Sequence, residues 1–395
     1  MSQQNSAVRR VIPELAAWLF AVAAALAMGI ATLHAVGPAA PWLANLWTKQ
    51  LGWTAFGTLG AVAVIALPTR SLRTIAYPAF GLAAAASIAA PVFGLSYAGL
   101  RRWVTFGAYS VQPAEFAKLA LVLALARFVA DLPGDDGCRA QPRSIREHAV
   151  PVFLVIGTIV PMLFQPHVGA ALVCVFIFIG VAATLRWRWW VPVGAAATVG
   201  VGAPLLWAFG MHAYQKTRVL SFLDPDRDPM GAGYQTNELI MTVGSGGWLG
   251  NGAGSWAHSA PHPIWSVATD LPFAVWAHEH GFVGTCSWLA AHAAIVLLAI
   301  RASAHATKRF ERVLAAGVAS LWLTQATVSI GASLGVMPVM AVSLPLGSYG
   351  GSNVVMSLLA IGLVLHVAIR NRRGSLAAGS TMCEQSSSAR TRRND

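Results

Sequence analysis

Long apolar runs, each bounded by a few charged or turn-forming positions, repeat along the whole chain. A helix needs about 20 mostly apolar residues to cross a bilayer. Ten stretches approach that length: Leu15–Val36, Leu51–Leu67, Ile75–Leu95, Val111–Ala130, Val150–Phe164, Val168–Leu185, Trp189–Phe209, Leu271–Ile300, Val313–Met337 and Val342–Ile369. The fifth is short and meets the sixth across Gln165-Pro166-His167, which predicts a tight re-entrant hairpin of two helices. Between about 210 and 269 no run is long enough to span, leaving a large loop rich in Gly, Pro, Asp, His and Trp. Loops of that length are usually functional or unstructured. Residues 1–14 precede the first span, residues 15–369 form the membrane domain, and the Ser/Arg-rich tail 370–395 is expected to be disordered.

Composition supports lipid as the main solvent. Of 395 residues, 56% are hydrophobic and 11% charged, against roughly 25% charged in ordinary soluble proteins. The net charge of +12 would suggest nucleic acid in a soluble protein, but here the charges sit in short runs between spans. No nucleic-acid partner is expected; the bilayer is, and the basic tail suits anionic lipid heads. Cys138, Cys174, Cys286 and Cys383 have no metal-site spacing, and no disulfide framework is expected. Arg9-Arg10 precede an apolar run too long for a cleavable signal, so they read as a topology signal before a retained first span.

The positive-inside rule then orients the chain. With the N-terminus in the cytoplasm, 20 of the 27 Lys and Arg fall on the inner side. The outer side keeps 7: Lys49, Arg101, Arg102, Lys118, Lys216, Arg218 and Arg227. The expectation is an all-α integral membrane protein of about ten transmembrane helices. Both termini are cytoplasmic, and the large loop between helices 7 and 8 is extracytoplasmic.

Ionisable residues inside spans are costly and point to function. Glu115 and Lys118, three apart, share one face near the outer end of the fourth span; they fit a structural ion pair or a site. Arg101-Arg102-Trp103 stand just before that helix, as an interfacial anchor or as phosphate ligands. Asp270 opens the eighth span on the same side, as a helix N-cap or a general base at the mouth of a cavity. His258, His262, His278 and His280 lie near Glu279 without the zinc-protease spacing, so no metal site is expected.

Five blocks resemble a known family, the SEDS proteins of shape, elongation, division and sporulation, represented by FtsW, RodA and SpoVE. Arg101-Arg102-Trp103 with Gln112-Pro113-Ala114-Glu115-Phe116-Ala117-Lys118 is similar to its ARRW and QPSELAK blocks. Gln165-Pro166-His167-Val168-Gly169 resembles its QPDLG hairpin. Arg218 to Pro225 with Gly233-Tyr234-Gln235, and Gly244 to Gly250, resemble its large outer loop. Leu344-Pro345-Leu346-Gly347-Ser348-Tyr349-Gly350-Gly351-Ser352 resembles its LPFVSYGGS signature.

The resemblance implies a peptidoglycan glycosyltransferase of cell division or elongation at the inner (cytoplasmic) membrane. Such an enzyme polymerises lipid II on the outer face with inversion, beside a class B penicillin-binding protein and other complex proteins. It places Asp270, Glu115 and Lys118 in catalysis. Arg101, Arg102, Gln112, Gln165, Arg218, Ser348 and Tyr349 become substrate contacts, and a divalent cation, Mg or Mn, is left open as a cofactor. The chain departs from the pattern in four places. His167 replaces the hairpin Asp. Trp265 to Ala268 replace a Pro-Glu and a His. Ala277-His278-Glu279-His280-Gly281 keeps one of two Glu, and an Asn is replaced near Ser329. A flippase of lipid-linked precursor and a catalytically weak scaffold are the alternatives.

Overall fold

The computed structural model describes residues 2–97, 100–106, 109–133, 144–185, 204, 206–211, 213–224, 233–259 and 268–391. The helices among them are α1 (Ser2–Val36), α2 (Leu46–Ala66), α3 (Thr69–Phe93), α4 (Pro113–Asp131), α5 (Ile145–Phe164) and α6 (Val168–Ala182). The long 210–269 loop contributes α7 (Ala213–Leu223), α8 (Tyr234–Ser245) and the short α9 (Ser255–Ser259). Then come α10 (Pro272–Ala304), α11 (Arg309–Ser333) and α12 (Gly351–Thr391). Among the described residues six helices are long and apolar enough to cross a membrane: α1, α3, α5, α10, α11 and α12. The expected seventh span lies almost wholly outside the described residues, as do Cys138, His262 and Trp265 to Val267; only a π-type turn at Leu206–Gly210 is seen there.

Helix ends follow local chemistry. α4 starts with Pro113 in its first turn, where the missing N–H costs nothing. α5 starts at a capping box: the Glu147 N–H donates to Ser144 Oγ, and the Ser144 N–H reaches Glu147 Oε2. α4 is buried nearly all round and packs on α3, α5, α6, α11 and α12, as expected for a central helix. The outer helices turn large apolar side chains outward; Phe20 is 78% and Phe93 79% exposed, a surface suited to lipid. At one end of the bundle Arg73 and Arg127 both pair with Asp131, Arg309 Nη1 donates to the Leu132 carbonyl, and Arg370 Nη2 to that of Leu67.

The structure corrects the all-α expectation. Leu95–Tyr97 (β1), Leu100–Phe106 (β2) and Tyr109–Val111 (β3) form a three-stranded antiparallel sheet in the order β1-β2-β3. Val104 pairs with Val111 and Phe106 with Tyr109. The β-branched and aromatic residues of Trp103-Val104-Thr105-Phe106 suit a pleated surface. On β2 successive side chains leave by opposite faces, so Arg101 is exposed and Arg102 buried.

A second correction concerns the tenth span. Helix α12 starts only at Gly351. Residues 334–350 run as irregular chain broken by Pro338 and Pro345, with Ala341 and Leu346 at positive φ. From Val342 to Ser348 the segment is nonetheless largely buried, and Leu344 and Ser348 are fully inaccessible. Irregular backbone at membrane depth needs partners supplied by protein, and polar side chains from distant helices supply them. Gln50 Nε2 donates to the Ser348 carbonyl, and Gln50 Oε1 accepts from the Gly350 N–H. Asn353 Nδ2 donates to the Leu344 carbonyl, and Arg218 Nη1 to that of Val339. Helix α12 runs from Gly351 to Thr391.

Candidate functional site

A cavity of about 930 Å³ opens between α2, β2, the α5–α6 hairpin tip, the start of α10 and the 341–353 stretch. Its wall carries Asp270, Arg102, Gln112, Tyr349 and His167, together with Lys49, Trp53 and Phe56 of α2 and Ser343, Ser352 and Asn353.

Asp270 precedes α10, whose N-cap is Leu271 without a side-chain cap bond; its carboxylate is therefore not spent on capping that helix. Ser343 Oγ donates to Asp270 Oδ1 at 3.3 Å, and Ser329 Oγ donates to the Asp270 carbonyl at 2.6 Å. Ser329, the residue noted for a departure from the family pattern, thus anchors the Asp270 backbone. Loss of water around the carboxyl pushes its pKa up from the usual carboxylate range to about 6; the Ser343 bond, Arg102 and Arg218 pull the other way. Such a group stays ionised at neutral pH yet is a stronger base than an exposed aspartate.

Arg102 is fixed by the hairpin. Its Nε donates to the Gln165 carbonyl at 2.9 Å and its Nη2 to that of Pro166. Gln165 in turn donates from Nε2 to the Ser87 carbonyl, locking the hairpin tip to α3. Gly169, one turn on, lies so close to the 340–342 chain that an added Cβ would come within 2.4 Å of the Met340 carbonyl oxygen. The Gln112 N–H donates to Ser352 Oγ, and the Tyr349 N–H to the Ala268 carbonyl. These bonds tie three separate stretches of sequence around one space.

Of the residues singled out in the sequence, Arg102, Gln112, Asp270 and Tyr349 line this cavity. Glu115 and Lys118 lie behind the wall, one to two turns deeper than Gln112. Lys118 Nζ sits 2.7 Å from Glu115 Oε1, both residues are buried, and Gln325 Nε2 reaches Glu115 Oε2 at 3.4 Å. Arg101 points away on the strand's other face. The Gln165 side chain, Arg218 and Ser348 hold backbone: Ser348 Oγ accepts from the Leu344 N–H, and Arg218 serves Val339.

Lys49 and Gln50 were not singled out, although two polar residues beside an apolar run are a signal of their own. Gln50 is buried, whereas Lys49 is exposed at the cavity.

The histidine group disperses. His278 Nδ1 lies 2.7 Å from Ser245 Oγ, His280 stacks on Trp276 with ring centroids 3.7 Å apart, and His258 Nδ1 lies 3.1 Å from the Gly254 carbonyl oxygen just before its own short helix. His278 and Glu279 pin the glycine-rich 246–254 turn onto α10. The Asn251 N–H donates to the His278 carbonyl, and the Gly254 N–H to Glu279 Oε1. There α10 breaks at Gly281, at φ +61, where a Cβ would lie 2.4 Å from the Gly250 nitrogen.

Among the described residues Asp270 is the only acidic side chain on the cavity wall, and no group of three or more His, Cys, Asp and Glu could hold a metal. These donors do not fit a divalent cation held by the protein alone.

The fold and cavity define a multi-pass helical membrane protein with a charged site at one end of the bundle. A family model described as a cell cycle protein, FTSW_RODA_SPOVE, matches residues 16–373, and the chain belongs to this family. It is 34% identical over 275 residues to the peptidoglycan glycosyltransferase MrdB of Escherichia coli (strain K12), covering 68% of this chain and 71% of that protein. A solved structure of the rod shape determining protein RodA of Thermus thermophilus superimposes with a TM-score of 0.65 at 28% identity, covering 90% of this chain and 96% of that one. A chain from a structure on the coordination of polymerization and crosslinking by a peptidoglycan synthase complex gives a TM-score of 0.76 at 31% identity, covering 90% and 97%.

Proposed function

We propose that this chain is a peptidoglycan glycosyltransferase that polymerises lipid II into glycan strands, in cell division or elongation, at the outer face of the cytoplasmic membrane. The observation that carries the reading is the buried-edge carboxylate of Asp270 on one cavity wall with the cations Arg102 and Lys49, in a family whose relatives are named peptidoglycan glycosyltransferases. The acceptor sugar's 4-hydroxyl oxygen attacks the anomeric carbon of the donor. The carbon–oxygen bond to the lipid pyrophosphate breaks, and its electron pair leaves with the phosphate. Asp270 takes the hydroxyl proton. Arg102 and Lys49 offset the charge that develops on the pyrophosphate. Trp53 and Phe56 give the cavity an apolar side on α2, suited to the start of a polyprenyl chain. A class B penicillin-binding protein would cross-link the product. Polymerisation of labelled lipid II by the purified protein, with and without that transpeptidase, tests the reading. A wild type that only translocates lipid II would make it a flippase, and one inactive in both assays a scaffold.

The reading includes ten spans, with the 210–269 loop outside and both termini in the cytoplasm, supported by the 20-to-7 split of basic residues. In a background without native cysteines, Ser259→Cys should react with a membrane-impermeant thiol reagent on intact spheroplasts and Ser375→Cys should not. The reverse pattern would invert the topology.

The raised Asp270 pKa has a consequence for pH. A base works only when deprotonated, so polymerisation should fall off as the medium is acidified through about pH 6. The Ser343 hydrogen bond favours the ionised carboxylate, so removing it raises the pKa further. Ser343→Ala should therefore move this acid limb to higher pH. A limb that stays in place would mean that another group titrates.

A further inference from the structure

We propose that one face of the β2–β3 hairpin is a saccharide subsite: Trp103 stacks on the face of a pyranose ring, and the Thr105 and Ser110 hydroxyls bond to its edge. The inference rests on the glycosyl-transfer reading and adds to it the residues that tell a sugar-bearing lipid from a bare one.

Thr105 and Ser110 are directly opposite each other across the hairpin, so their side chains stand side by side on one face. Trp103, two residues before Thr105 on β2, leaves by that same face. All three line the cavity that holds Asp270 and Arg102. Val104 and Val111, the neighbouring pair, leave by the opposite face and do not line it. Ser110 is exposed, and Trp103 and Thr105 are half-buried, so a molecule in the cavity can touch all three. Among the described residues neither hydroxyl is engaged by another group. Nearer the start of β2 the pairing with β1 slips by one residue between Leu100 and Trp103. Such an irregularity re-aims a side chain, which lets Arg102 and Trp103, adjacent in sequence, reach one cavity.

The cavity's walls differ in chemistry. Arg102 and Lys49 are cationic, and Trp53 and Phe56 are apolar. The sheet face is neither: no charged residue occurs from 103 to 114, and an indole stands beside two hydroxyls. An ionised pyrophosphate finds no charge there to answer its own. A polyprenyl chain would strip water from both hydroxyls and return no hydrogen bond. A pyranose suits both halves of the surface. Its C–H groups make an apolar face for the indole, and the hydroxyl and N-acetyl groups at its edge exchange hydrogen bonds with Thr and Ser. Aromatic wall with a few placed polar groups is the usual form of a small-molecule site. The face is also fixed before substrate arrives, which favours recognition. The Gln112 N–H donates to Ser352 Oγ at 2.8 Å, tying the end of β3 to α12, and Arg102 Nε ties β2 to the Gln165 carbonyl at 2.9 Å.

The measurements are binding of labelled lipid II and of sugar-free undecaprenyl pyrophosphate to purified full-length protein, with thermal unfolding in detergent as a check on folding. Thr105→Val keeps the shape and strand preference of threonine and removes only the hydroxyl. Combined with Ser110→Ala, it should weaken lipid II binding about tenfold, the scale of one to two hydrogen bonds, and leave the sugar-free lipid bound as in wild type. Trp103→Leu should show the same selectivity, and Trp103→Phe, which restores a ring face, should recover most of the affinity. In turnover the losses should appear mainly in KM, as for a contact made equally in the ground and transition states. Wild-type lipid II affinity in the Thr105→Val/Ser110→Ala variant would overturn the proposal, as would an equal loss for the sugar-free lipid. A Trp103→Phe variant no better than Trp103→Leu would overturn its stacking part. If wild type binds lipid II without polymerising it, the glycosyltransferase reading falls while the variant-to-wild-type ratio still decides the role of the sheet face. A wild type that binds no lipid II removes both.

Discussion

Asp270→Asn should lower lipid II polymerisation by at least about a hundredfold, the low end of what a positioned general base contributes, while the protein stays in the membrane at normal levels. The substitution is close to isosteric. Ser343 Oγ can donate to the amide oxygen as it does to Oδ1, and Ser329 holds the backbone carbonyl whatever the side chain. No capping bond to α10 is lost, because the side chain makes none. What disappears is the ability to take the acceptor proton. Replacing a buried-edge carboxylate whose pKa is already raised should, if anything, stabilise the fold slightly. Activity and stability should therefore move apart: glycan synthesis nearly lost, thermal unfolding in detergent unchanged or higher. A variant that polymerises at a near-normal rate would remove Asp270 as the base. A variant that is inactive and also unfolds early would show that the carboxylate is structural.

The parts of this site that were legible in the sequence are those for which membrane burial makes a residue expensive. Glu115 and Lys118 interrupt an apolar run and are held 2.7 Å apart; nothing in lipid tolerates them singly. Asp270 stood out because a long polar loop ends on it. Arg101 and Arg102 stood out as a pair, but the pair could not be divided, since a loop reading gives neither arginine a direction. The strand does, and it sends only Arg102 toward the cavity.

The 334–350 segment was illegible for a different reason. Hydropathy measures how apolar a stretch is, and this one is apolar enough to resemble the start of a span. It does not measure whether the backbone can be helical, and Pro345 with the positive φ of Ala341 and Leu346 decides that question. The compensation comes from far away: Gln50 meets Ser348 across 298 residues and Arg218 meets Val339 across 121. Long-range partners leave no periodicity to read. The same physics explains why the buried Gln50 and Asn353, and Arg218 from the exposed side, bond to backbone. They keep an irregular chain folded at a depth where water cannot reach it, and that chain brings Ser343 to Asp270.

The Glu115–Lys118 pair should give the largest stability effect. Glu115→Gln removes the charge that Lys118 Nζ faces at 2.7 Å in a site from which both residues exclude solvent. Leaving one partner of a buried pair uncompensated costs roughly 3–5 kcal/mol, enough to reduce the amount of folded protein in the membrane. Lys118→Met should cost less, because Glu115 Oε2 keeps the amide of Gln325 at 3.4 Å. The double variant Glu115→Gln/Lys118→Met has no orphaned charge. It should be more stable than Glu115→Gln alone, with a coupling within the roughly 0.5–3 kcal/mol seen between contacting residues. Activity separates structure from chemistry in the same set. The pair sits behind the cavity wall, so if its role is to hold α4 and Gln112 in place, the double variant should regain part of the polymerisation lost in the single one. If the double variant is stable but inactive, the charges themselves act on the substrate, through the field that Lys118 adds behind Arg102. Thermal unfolding in detergent and lipid II polymerisation, measured on all four proteins, decide between these outcomes. Additive losses in both would show that the two side chains do not depend on each other.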